Sequence, residues 1–240
     1  IAKDINSEVL LKMPRFNEQQ LGNLAWTFAS MQVCNSRLLQ AMSEHALAGI
    51  GLNAFSEQSL SNICRYSAVC TAGLHEHTDR LQDDPLMRTI AREVSSPERA
   101  KRLSVQQHSN FIWAFALCDH QESHFLIESL AGYLGPCISE EASIQNLTNV
   151  SWAFATVRWM DPLLLSRIAS VAVPRLHRYQ EKELANLAWA FATLHAADVS
   201  ILQADRAELT GQDSGCQFLL PAIGKVLTAR DDAKTLAPRS

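Results

Sequence analysis

Long apolar runs, closely spaced cysteine pairs and a surplus of positive charge are all missing from this chain of 240 residues. No run approaches the ~18 apolar residues a membrane-crossing helix needs, so no membrane span is expected. The six cysteines, Cys34, Cys64, Cys70, Cys118, Cys137 and Cys216, form no C-x-x-C pair. They read as reduced thiols of an intracellular or organellar compartment, Cys118 as a small buried hydrophobe. Net charge is −4 and the pI is near 6.1, which is not the footprint of an avid nucleic-acid binder. Basic residues are scattered, with small clusters at Arg99, Lys101 and Arg102 and at Arg175 and Arg178. Catalytic signatures are also missing: there is no G-x-S-x-G, Walker A, H-E-x-x-H or glycine-rich nucleotide loop. The expectation is a non-enzyme without a cofactor. His75-Glu-His77 supplies at most two metal ligands, too few for a site. The chain begins at Ile1 without methionine, so it reads as processed or as an excerpt, and the lack of a targeting segment carries little weight.

What the chain does have is one line written five times. It stands in full as Leu21-Gly-Asn-Leu-Ala-Trp-Thr-Phe-Ala29, Leu147-Thr-Asn-Val-Ser-Trp-Ala-Phe-Ala155 and Leu184-Ala-Asn-Leu-Ala-Trp-Ala-Phe-Ala192. His108-Ser-Asn-Phe-Ile-Trp-Ala-Phe-Ala116 is a near-copy, and Leu60-Ser-Asn-Ile-Cys-Arg-Tyr-Ser-Ala68 a degraded one. The anchoring asparagines are Asn23, Asn62, Asn110, Asn149 and Asn186, giving steps of 39, 48, 39 and 37 residues. A period near forty is the mark of a stacked helical array.

Capping chemistry places the helix starts. Six residues before each asparagine stands Asn17, Ser56, Ser104, Ser143 or Gln180, four of them good N-cap types. Three residues further on come Gln20, Ser59, Gln107, Asn146 and Glu183, where a capping box places Glu or Gln. Along the first such helix Leu21, Leu24, Ala25, Phe28 and Ala29 form one apolar stripe. Trp26 lies about 140° round from Leu21, so the helix reads as apolar on more than one side and buried between neighbours. Looser amphipathic partner helices are expected over 36–50, 122–134, 162–176 and 199–209. The fold class is therefore all-α, an α-α superhelix (solenoid) of about five helical-hairpin repeats over 1–227. A longer loop is expected within 71–102 and a frayed tail over 228–240.

The line L-x-N-[LIV]-[AS]-W-A-F-A, preceded by Gln19, Gln58, Gln106 and Gln145, resembles the second helix of octotricopeptide repeats, whose core reads P-Q-D-L-S-N-x-L-W-A-L-A-K-L. It is similar also to the heptatricopeptide-like repeats of FAST-kinase-like and RAP-domain proteins. The resemblance covers roughly residues 3–212. It implies a helical-repeat protein of the mitochondrion or chloroplast that binds single-stranded or ribosomal RNA, in transcript stabilisation, processing, translation or ribosome assembly. Pro-Gln-Asp is not kept, Arg65 replaces one tryptophan, and no RAP domain is recognisable. The alternative is a structural scaffold, such as a subunit of a mitochondrial ribosome or another organellar complex.

Two sets of residues follow. Asn23, Asn62, Asn110, Asn149 and Asn186 read as a hydrogen-bonded ladder between repeats, and Trp26, Trp113, Trp152 and Trp189 as inter-repeat packing; the alternatives are RNA contact and base stacking. Trp159, outside the pattern, is a candidate for exposure. The variable polar column Gln20, Ser59, Gln107, Asn146 and Glu183, with Arg99, Lys101 and Arg102, is the candidate RNA-binding set, since helix starts attract phosphate and amides pair with base edges. The competing role for that column is helix capping alone.

Overall fold

Every capping residue singled out by spacing does start a helix. The computed structural model describes residues 2–73, 84–118, 122–202 and 216–236, and its elements are all helical. In chain order they are α1 (Ala2–Lys12), α2 (Glu18–Ser30), α3 (Ser36–Glu44), α4 (Glu57–Gly73), α5 (Pro85–Val94), α6 (Pro97–Ala100), α7 (Val105–Cys118), α8 (Ser123–Cys137), α9 (Ile144–Thr156), α10 (Pro162–Ala172), α11 (Glu181–Leu202) and α12 (Cys216–Leu236). Short π or 3-10 turns extend α1, α3 and α10. The five repeated lines occupy α2, α4, α7, α9 and α11.

At α2 the capping box is complete: Asn17 Oδ1 accepts from the Gln20 amide at 2.9 Å, and Gln20 Oε1 accepts from the Asn17 amide at 3.0 Å. Ser104 and Gln107 repeat the exchange at α7, at 3.2 and 2.9 Å. Ser56 and Ser143 accept from the amides of Ser59 and Asn146. Glu183 accepts from the Gln180 amide at 2.8 Å. Each bond satisfies a donor that helix geometry leaves unpaired.

The chain divides into two compact units, Ile1–Tyr133 and Leu134–Ser240. In the first, α2 lies along α4 and α4 along α7, so the motif helices stand side by side. Leu21, Ala25, Phe28 and Ala29 are buried, as are Leu60, Ile63, Cys64, Phe111, Ile112 and Phe115 in the later copies. Gly22 makes the approach of α2 to α4 possible, because a Cβ there would stand 2.8 Å from the Ser59 Cα. In the second unit α9 lies along α11, and α12 packs on α11 and on the turn that extends α10. Leu147, Val150, Phe154, Leu184, Leu187 and Phe191 fill its core.

Three expectations about the outer helices need correction. The stretch 71–102 is not simply a loop. Asp84 caps α5, its side chain accepting from the Leu86 amide at 2.9 Å with Pro85 in the first turn, and Leu86, Met87, Ile90, Ala91 and Val94 are buried. The Asp-Asp-Pro run that reads as a turn is a helix start, the same device as Asp161-Pro162 at α10. Second, the helix expected over 199–209 is not a separate element where it is described: α11 runs on to Leu202, and the partner helix is α12. Third, the tail expected from Thr228 is helical to Leu236. Leu219 and Ile223, earlier in the same helix, are buried.

Candidate functional site

On a helix with 100° per residue, Gln19, Asn23, Trp26 and Ser30 fall within about 60° of one another. All four are exposed, Trp26 by 55%. The same positions in the later copies are Gln58, Asn62 and Arg65; Gln106, Asn110 and Trp113; Gln145, Asn149 and Trp152; and Lys182, Asn186 and Trp189. Trp189 is 47% exposed, and Trp113 and Trp152 are half-buried. The reading of these tryptophans as inter-repeat packing is thus corrected for Trp26 and Trp189, while Trp113 and Trp152 are more covered than exposed. Within the first unit α4 has α2 on one flank, α7 on the other and α5 against it, which leaves one side open. The tryptophan position of the motif, about 140° from the leucine stripe, lies on that side.

Arg65 fills the tryptophan position of the second copy. Its guanidinium lies over the Trp113 ring, 5.7 Å from the centroid, a cation–π arrangement that replaces one planar group by another. Its Nε is buried without an acceptor. The rest of the side chain is half-buried on the aromatic face.

The asparagines divide. Asn110 Nδ2 donates to Ser61 Oγ at 3.1 Å, one rung between adjacent copies, and Asn62 accepts from Gln58 at 3.0 Å within α4. Asn23 is exposed, and Asn149 and Asn186 are half-buried. A continuous buried ladder is therefore not formed.

The helix-start column is occupied by capping. Gln20 and Gln107 exchange reciprocal bonds with their caps, and Glu183 accepts from the amide of its cap. Ser59 is buried, its hydroxyl bonded to Ser56 at 3.0 Å, and Asn146 is half-buried. Of the basic cluster, Lys101 and Arg102 are exposed, and Arg102 pairs with Glu57 at 2.9 Å. Arg99 must be taken out of the RNA-binding set. It is 7% exposed, pairs with Glu93 at 3.1 Å, and donates to the Leu52 and Phe55 carbonyls at 3.2 Å each. Reversing its charge would place an unpaired carboxylate in the interior.

Those bonds belong to a device that periodicity does not reveal. The carbonyl just before an N-cap is claimed by a side chain from the following helix of the same repeat. His45 Nε2 donates to Phe16 O at 2.9 Å; the carbonyl can only accept, so Nε2 carries the proton. Arg99 serves Phe55, Arg175 serves Ala142 at 3.0 Å and Glu140 at 2.6 Å, and Arg230 serves Tyr179 at 2.6 Å and His177 at 3.1 Å. The donors, three arginines and one histidine, differ in type and spacing, so the repeat pattern could not have pointed to them.

The buried thiols and His108 have pKa values shifted toward their neutral forms. Burial pushes the Cys118 thiol up to about 12 and raises Cys64 well above its ordinary value, suppressing thiolate chemistry. Burial also lowers His108, whose Nε2 has no partner. Trp159 is not fully exposed: it packs edge-on against Phe154 at 4.9 Å. His75 and His77 lie outside the described residues. Among the described residues no helix is long and apolar enough to cross a membrane. No family model matches the chain, and no curated protein is significantly similar to it.

Proposed function

We propose that this chain is an RNA-binding helical-repeat protein that holds single-stranded RNA, free or within a ribosomal RNA, on the open side of its motif helices. One observation carries the reading: a tryptophan at a repeated position is left half-exposed while the core is closed without it. Stacking on an exposed indole contributes ~1–3 kcal/mol per base and tolerates any sequence. The exposed amides beside the tryptophans, Gln19, Asn23, Gln106 and Gln145, offer donors and acceptors that match base edges. The repeat's likeness to octotricopeptide lines supports a role in a mitochondrion or chloroplast, in transcript stabilisation, processing, translation or ribosome assembly. RNA is placed here on the tryptophan face in preference to the helix starts, whose polar column is engaged in capping.

The test is fluorescence anisotropy of labelled single-stranded RNA against the unmodified chain, Trp26→Ala and Trp189→Ala. Each replacement is expected to weaken binding about fivefold or more, with thermal melting nearly unchanged because these rings contribute little to the core. Melting that drops sharply while affinity stays constant would return the tryptophans to a packing role. The net charge of −4 favours a second reading, a scaffold within an organellar complex. A folded chain that fails to bind RNA at low salt would leave that one standing.

A further inference from the structure

We infer that Arg65 is the phosphate-anchoring residue of this face, so that the degraded second copy is a specialised one. The inference rests on the RNA-binding reading above. In the unit Ile1–Tyr133 the three columns of this face are Gln19, Gln58, Gln106, all exposed; Asn23, Asn62, Asn110, of which Asn62 is buried; and Trp26, Arg65, Trp113. Arg65 is their one cation. Arginine here is not a random loss of tryptophan, because the planar guanidinium keeps the stacking position, lying 5.7 Å over the Trp113 ring. Among the described residues no carboxylate or hydrogen-bond acceptor engages it, and its Nε is buried without a partner. Arg99, Arg175 and Arg230, by contrast, each bind backbone carbonyls. A half-buried guanidinium with open hydrogen-bonding capacity is suited to a tetrahedral oxyanion, which it can meet with two parallel N–H groups. On a face of amides and indoles the charge complements the phosphodiester between two stacked bases. The ring beneath orients the fork and shields it from water.

The experiment measures binding of a fluorescein-labelled single-stranded oligouridine by the unmodified chain, Arg65→Ala, Arg65→Lys and Arg65→Trp across a salt series. Arg65→Trp restores the residue of the other four copies and is expected to fold; circular dichroism melts check all variants. Each phosphate contact on a single strand contributes ~0.7 to the slope of log K against log salt. Arg65→Ala and Arg65→Trp are expected to lower the slope by about that amount, with affinity at low salt falling several-fold for Arg65→Ala. Arg65→Lys is expected to keep the slope and lose part of the affinity, since an ammonium is a point charge without the fork. If the unmodified chain binds oligouridine and all four slopes coincide, the phosphate role is overturned and the RNA reading stands. If the unmodified chain binds no RNA but binds an oligoglutamate peptide in an Arg65-dependent way, both are overturned.

Discussion

His108 shows how one residue can set a chemical limit on the fold. The other copies place Leu21, Leu60, Leu147 and Leu184 at its position. His108 is fully buried, with Nδ1 bonded to the Ser104 carbonyl at 3.1 Å and Nε2 unpartnered. Burial, the larger effect, lowers its pKa below the ordinary 6.5. The folded state therefore binds a proton less readily than the unfolded one. Stability is complete above about pH 6.5 and is lost as the pH falls from there toward the depressed folded value. His108→Leu is expected to raise stability at pH 7 by about 1 kcal/mol, by removing an unsatisfied buried nitrogen. It should also flatten the decline between pH 7 and 5. Thermal melts of both proteins across that range check the prediction; a parallel decline would assign the acid sensitivity elsewhere.

At the scale of elements, the contact of α2 with α4 depends on the missing side chain of Gly22. Gly22→Ala would gain ~1 kcal/mol of helix propensity. Its Cβ, however, would meet backbone and side-chain atoms of Ser59 at 2.8 Å, which forces the helices apart. A net loss of about 1–3 kcal/mol is expected, read as a lower urea midpoint with an unchanged slope. The motif helices were legible because caps, stripe and period agree: Asn17, Ser56, Ser104 and Ser143 each mark a real start. The outer helices were less so. Asp84-Pro85 has the same composition whether it makes a turn or caps a helix, and only the burial of Leu86, Ile90 and Val94 decides. The tryptophan face was half legible. The 140° offset is visible in the sequence, but which side of a doubly apolar helix stays open depends on how many neighbours the helix has. Arg99 was misread because a charged residue in a basic cluster looks like a surface residue until its carbonyl partners are brought to it from 44 and 47 positions away.

For the molecule as a whole, side chains hold the turns before four of the five motif helices, though at no fixed spacing in sequence. Arg175 bonds the carbonyls of Val171, Glu140 and Ala142, joining α10 to the entry of α9. Arg175→Met is expected to cost about 1.5–3 kcal/mol, as for charge-assisted bonds to buried acceptors. Arg175→Lys should recover only part, since lysine has no counterpart of the Nε donor that binds Val171. Urea unfolding of the two variants measures this, and equal stability of Arg175→Met and the unmodified protein would show the bonds to be incidental. All of these fastenings run in one direction along the chain. Phe16 waits 29 residues for His45, Phe55 waits 44 for Arg99, Ala142 waits 33 for Arg175 and Tyr179 waits 51 for Arg230. During synthesis, then, a motif helix is complete in the chain before the residue that fastens its entry has been made. Each repeat is completed only retrospectively, and the last begun is always the least secured.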